Sequence, residues 1–213
     1  MLVQSPSRIF KSDLSVWKRE RSCFTNTINT DDHSALKNVS EIVLEGNGDY
    51  DFYYQKNSSI LVVVLYGETL ISGFTEPFIA GQIFTRLANE SGILNFKNNL
   101  RNEKTDILIL ELKNSSSENS FSVEDLNFHE RNALLQISEH LGYPNFTGIY
   151  DGRKEQEYVL QKKEGSIFGM VINGAFEFQN RLMETRDAIL LNGIETLEFE
   201  ALSENALLIF LEI

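Results

Sequence analysis

Apolar positions in this chain come in short runs punctuated by turn-forming residues. In the C-terminal quarter, residues 167–172, 175–178, 188–191, 196–199 and 206–211 are apolar-rich, and Asn173-Gly174 and Asn192-Gly193 interrupt them. Runs this short and this rich in Val, Ile, Leu and Phe predict strands. Asn-Gly between two such runs predicts a hairpin, because both central turn positions take positive φ. Five strands between residues 165 and 213 bury their apolar faces only by closing into a barrel or sandwich.

The rest of the chain has the same rhythm. Strands are predicted over residues 39–44, 50–55, 60–66, 69–71, 93–96 and 107–112, with a Gly81 turn inside 78–84. Ile9, Phe10, Trp17 and Phe24 are apolar anchors that predict one or two further strands on the first barrel. Residues 113–122 (KNSSSENSFS) read as a linker. Ser122-Val123-Glu124-Asp125 fits a capping box opening one helical turn. Residues 132–141 fit either a helical face (Ala133, Leu134, Ile137, Leu141) or a strand around Leu135-Gln136-Ile137. A hairpin is expected from 147–150 through Asp151-Gly152 to 157–161.

The two halves repeat. Residues 60–113 line up with 167–213: an apolar strand ending in Gly67 or Gly174, a short hairpin, a second apolar strand, and closing aliphatics that end Glu-Leu or Glu-Ile. Ordered similarity of this kind implies two copies of one β-barrel unit. The expected division is a first barrel over 1–113, a linker over 114–131 and a second barrel over 132–213.

Composition narrows the function classes. A net charge of −12 and a pI near 4.7 argue against nucleic acid, whose phosphates are bound by Lys and Arg. The one basic cluster, Lys18-Arg19-Glu20-Arg21, reads as a solvated strand edge. The longest apolar run, 60–66, is too short to cross a bilayer, and charges interrupt the N-terminal segment. Cys23 stands alone, so no intrachain disulfide forms, and a cytoplasmic protein is expected. Cys23 itself reads as a small buried hydrophobe. No Gly-x-Ser-x-Gly elbow, Walker loop or dinucleotide fingerprint is present.

On this pattern the chain resembles the pirin-like bicupins. The likeness rests on Val63-Val64-Leu65-Tyr66-Gly67-Glu68 in the first half. In the second it rests on Gly174, Asp187-Ala188-Ile189 and Leu207-Leu208-Ile209-Phe210-Leu211. The resemblance implies an all-β protein of two tandem cupin (jelly-roll) barrels packed together, with few short helices. It also implies a divalent metal, usually iron, in the N-terminal barrel of active members. There two histidines sit one residue apart upstream of the glycine motif, and a histidine and a glutamate one residue apart on a later strand. Residues i and i+2 share a strand face, so each pair sends two ligands inward.

Counting from Gly67 and from Ser91-Gly92-Ile93, those positions fall on Tyr53, Gln55, Asn95 and Lys97. No histidine lies between His33 and His129, so neither metal nor cofactor is expected. His129, Glu130 and His140 match no ligand spacing and read as surface groups. The four replacement residues form a candidate pocket for a small organic acid or phenolic ligand, with Lys97 as counter-charge. Three functions stand side by side. They are a non-catalytic bicupin binding a small molecule or a protein partner, a metal-dependent dioxygenase of the quercetin 2,3-dioxygenase type, and a purely structural interaction protein. The missing ligands favour the non-enzymatic readings.

Overall fold

The punctuated apolar runs become twenty-one strands and one turn of 3-10 helix, Ser12–Leu14, among the described residues. The computed structural model describes residues 6–30, 34–114, 116, 118–163 and 165–213. The strands form four antiparallel sheets in two compact units, and each unit combines one long and one short sheet. No helix is long and apolar enough to cross a membrane among the described residues.

The first unit comprises Val16–Leu126 and Ser138–Leu141. Its long sheet runs in the order Ser120–Asp125, Gln82–Ala88, Ser58–Tyr66, Thr105–Lys113, Leu36–Leu44, Cys23–Asn29 and Lys18–Glu20. Its short sheet runs Asp49–Tyr54, Gly92–Lys97, Glu68–Ile71 and Phe78–Ile79. The second unit comprises residues 6–15, Asn127–Ile137 and Gly142–Ile213. Its long sheet is Ser7–Phe10, Ala188–Ile194, Gly165–Asn173, Ala206–Glu212, Asn145–Tyr150 and Leu135–Gln136. Its short sheet is Glu155–Val159, Thr196–Ala201, Ala175–Phe178 and Arg181–Glu184. Between its two sheets each unit holds one apolar core. Phe52, Tyr54, Val62, Phe84 and Phe96 belong to the first core, and Tyr150, Phe176, Phe178, Phe199 and Phe210 to the second. The central strands are apolar at nearly every position because they are buried on both faces, as along Ser58–Tyr66 and Gly165–Asn173.

The internal repeat extends to its polar groups. Gly67 (φ 75°) and Gly174 (φ 79°) each end a central strand and pass the chain into the opposite sheet. A Cβ would lie 2.7 Å from the Lys104 carbonyl oxygen at the first and 2.3 Å from Ser203 Oγ at the second, so both sites require glycine. Each unit's closing strand also buries one carboxylate. Glu111 accepts hydrogen bonds from Ser58 Oγ (2.6 Å), Asn38 Nδ2 (2.8 Å) and the Gln55 amide (3.1 Å). Glu212 accepts from the Lys162 amide (2.7 Å), Tyr158 Oη (2.8 Å) and the Gln161 amide (2.9 Å). Both carboxylates therefore fasten the turn that enters the central strand.

Several expectations are corrected. Ser7–Phe10 does not join the first barrel; it pairs with Ala188–Ile194 in the second, in register from Ser7↔Leu191 to Phe10↔Ala188. The expected linker contains the strand Ser120–Asp125, whose SFSVED alternation pairs it with Gln82–Ala88, so Ser122 opens no helix. Each unit thus receives its outermost strand at equivalent positions from outside the tandem order. Residues 132–141 hold only the two-residue strand Leu135–Gln136, and no α-helix forms among the described residues. Asn173-Gly174 and Asp151-Gly152 are corners between sheets, since the strands on either side of each do not pair. Asn192-Gly193 lies inside the strand Ala188–Ile194, where the register with Gly165–Asn173 slips: a bulge that uses the positive φ of Gly193. The true hairpin in that region turns at Gln179 and Asn180, both at positive φ, between Ala175–Phe178 and Arg181–Glu184.

Candidate functional site

The strands Asp49–Tyr54 and Gly92–Lys97 carry the positions at which the sequence placed a pocket. They pair antiparallel with Tyr53 opposite Ile93, Asp51 opposite Asn95 and Asp49 opposite Lys97. Their side chains alternate between faces. Phe52, Tyr54, Leu94 and Phe96 are buried in the barrel core, whereas Tyr53 is 70% exposed. Gln55 and Lys97 are exposed as well, and half-buried Asn95 donates Nδ2 to the exposed Asp51 Oδ1 at 2.8 Å.

The four candidate residues therefore do not meet inside the barrel. The register Asp106↔Tyr66 jumps to Ile107↔Val64, a bulge at Leu65, and Asn57 turns at positive φ, so a count back from Gly67 does not preserve the face. A group of alternating aromatics pointed the right way: Tyr50, Phe52 and Tyr54 share one face and Tyr53 takes the other.

The inward positions are closely packed. Phe96 is fully buried, and Phe52 and Tyr54 are 5% and 6% exposed. Gly92 leaves room for the Tyr54 hydroxyl, which would lie 2.3 Å from a Cβ there. One charged group enters this region. Arg86 shares a strand face with Phe84 and Ala88, two core residues, and lies directly opposite Ile60 and Phe121 on the flanking strands. Its guanidinium lies over the Tyr54 ring, 5.5 Å from the centroid, and its buried Nε has no hydrogen-bond partner. A lone arginine among the alternate apolar positions of QIFTRLA is the sequence signal for this residue.

Other clusters are accounted for locally. His140 Nε2 is 2.8 Å from Ser120 Oγ, and the exposed His129 takes a backbone contact from its amide to Asn127 Oδ1. His33 lies outside the described residues. Glu124 receives Ser122 Oγ, Ser138 Oγ and the Glu139 amide, which fixes Ser138–Leu141 to the first unit. Burial, with the nearby Glu20, Asp49 and Glu45 carboxylates, pushes the Cys23 thiol above its ordinary pKa and disfavours the thiolate. In the second unit a cleft of about 510 Å³ opens on the outward face of the short sheet, among Glu155, Glu157, Glu177, Glu198 and Glu200. A smaller polar cleft of about 270 Å³ adjoins Lys37, Asn38, Gln55 and Glu111. Among the described residues no three His, Cys, Asp or Glu side chains come together as a metal site.

This geometry coincides with known proteins at the level of fold. Residues 146–212 match the family model of the quercetinase C-terminal cupin domain. The structure of YhhW from Escherichia coli superposes with a TM-score of 0.80 at 14% identity, covering 97% of each chain. The chain shares the two-barrel fold of that protein. YhhW, a bacterial pirin, is also known in complex with nickel(II), with the same TM-score. Quercetin 2,3-dioxygenase from Acinetobacter baumannii superposes with a TM-score of 0.73 at 12% identity, covering 97% of this chain and 78% of that one. No curated protein sequence matches.

The residues present do not fit the metal that the family resemblance implies. The inward side chains at i and i+2 of the two strands are Phe52 and Tyr54, and Leu94 and Phe96. They offer one phenol oxygen and no imidazole or carboxylate, and a guanidinium, that of Arg86, lies over Tyr54.

Proposed function

We propose that the chain is a non-catalytic pirin-like bicupin that binds a small molecule or a protein partner and does no metal-dependent oxygen chemistry. The observation that carries this reading is the side-chain set Phe52, Tyr54, Leu94 and Phe96, packed where a metal would need open coordination positions and donor atoms. The acidic charge supports a partner other than nucleic acid. The single, buried Cys23 supports a cytoplasmic setting.

Elemental analysis of protein produced with added iron, nickel, manganese or zinc and dialysed against chelator tests the reading. Less than stoichiometric metal is expected, together with no iron-dependent loss of quercetin absorbance. One tightly held metal per chain, or quercetin turnover that follows added iron, would refute it and would favour the dioxygenase.

A further inference from the structure

We propose that Arg86 is the anchor of a binding site for a small aromatic carboxylate where the first barrel's interior meets solvent. This inference rests on the binding-module reading above and names the ligand class for that barrel. A guanidinium presents a planar fork of N–H donors that matches a carboxylate. That of Arg86 forms no ion pair with any carboxylate among the described residues, and its Nε is buried without a hydrogen-bond partner. In a chain of net charge −12, a half-buried cation left unpaired is conspicuous.

What surrounds the cation is aromatic. Tyr54 lies beneath the guanidinium, and Phe121 is its cross-strand neighbour. Phe121 is 59% exposed, although its ring packs edge-on against Phe74 (5.4 Å) and beside Phe84 (6.3 Å). An exposed phenylalanine beside an unpaired arginine supplies the two halves of the recognition: a ring surface for an aromatic body and a donor fork for its carboxylate. A neutral phenol lacks the charge, and acetate lacks the ring.

Isothermal titration of the full chain at low ionic strength with benzoate, benzamide and acetate tests this. Benzoate is expected to saturate one site per chain, with the other two probes at least tenfold weaker. Arg86→Met keeps the alkyl stem over Tyr54 and is expected to weaken benzoate at least tenfold. Phe121→Ser, at a position 59% exposed, is expected to weaken it several-fold and serves alone should Arg86→Met not fold. Absence of saturable benzoate binding by the wild type, or equal affinity in the wild type and either folded variant, overturns the proposal. The metal content and quercetin assay of the same preparation separate the two failures. Metal-free, inactive protein that ignores benzoate refutes only the aromatic acid site, whereas metal-loaded, active protein refutes the binding-module reading itself.

Discussion

Replacing Asp187 with asparagine should release the N-terminal strand from the second barrel. The Asp187 side chain is fully buried and holds the chain just past that strand. Its Oδ1 accepts the Ser12 amide at 2.8 Å, its Oδ2 accepts the Glu184 amide at 2.9 Å, and the Lys11 ammonium closes a short ion pair on Oδ2. An asparagine of the same shape turns one acceptor into a donor that faces a backbone N–H, and it abolishes the ion pair. Breaking a buried pair from one side costs about 3–5 kcal/mol. Lys11 keeps 34% of its side chain in solvent and rehydrates, which reduces the loss to about 2–3 kcal/mol.

Burial alone would raise the Asp187 pKa. The Lys11 hydrogen bond and the two backbone donors outweigh it and hold the carboxyl below its ordinary 3.8. A depressed folded-state pKa means the contribution is complete above about pH 4 and disappears as pH falls through the lower folded value. Lys11 is shifted the opposite way, raised above 10.5 by the same contact, so its share persists through neutral pH and is lost only on the alkaline side of that value. Urea unfolding of wild type and Asp187→Asn at pH 7 and pH 3, with amide exchange over residues 7–12, measures this. A gap of about 2 kcal/mol at pH 7 that narrows at pH 3, with faster exchange in the strand, is expected. A gap below about 0.5 kcal/mol at pH 7, or unchanged protection of residues 7–12, would refute the reasoning.

Two further outcomes follow from the internal repeat. Gly174→Ala should lower stability by about 2–3 kcal/mol, because it combines positive φ with a 2.3 Å approach to Ser203 Oγ; Gly73→Ala, at φ 93° in open space, should cost only about 1 kcal/mol in the same thermal melts. Glu111→Ala should cost about 2–4 kcal/mol by removing the acceptor of Asn38 Nδ2 and of the Gln55 amide and the ion-pair partner of Lys37, and Glu212→Ala should match it; amide exchange should report each loss mainly in its own unit.

The positions of the strands were legible because short apolar runs and glycine punctuation reflect local physics. Gly67 and Gly174 stand where the chain turns a corner that other residues would strain. What those corners connect was not legible. Asn-Gly promotes a reversal, yet whether the next strand pairs with the last or crosses to the opposite sheet depends on partners far along the chain. The site was misplaced for a related reason. The assignment of Tyr53, Gln55, Asn95 and Lys97 to the interior depended on residue counts. For Tyr53 and Gln55, counted back from Gly67, the bulged residue at Leu65 shifts the faces. Asn95 and Lys97 lie on the same outward face, opposite Asp51 and Asp49. The alternation within YDFYY was local evidence and pointed correctly to Phe52 and Tyr54. Arg86 carried a visible signal, but only its placement between Phe84, Tyr54 and Phe121 gives that signal chemical meaning.

The strand Ser7–Phe10 has a bearing on how the protein is made. Its pairing partner lies about 180 residues further along the chain, so during synthesis it must wait, unpaired, until most of the polypeptide has emerged. Contacts of such long sequence separation slow folding, because the loop must close before the pairing stabilises it. Until then the Ala188–Ile194 edge is open to any other chain that presents a free strand. A fragment beginning after residue 126 would carry that open edge permanently. The second barrel is thus encoded at both ends of the sequence, and cutting the gene between the repeats would yield an aggregating half where the repeat alone suggests an independent domain.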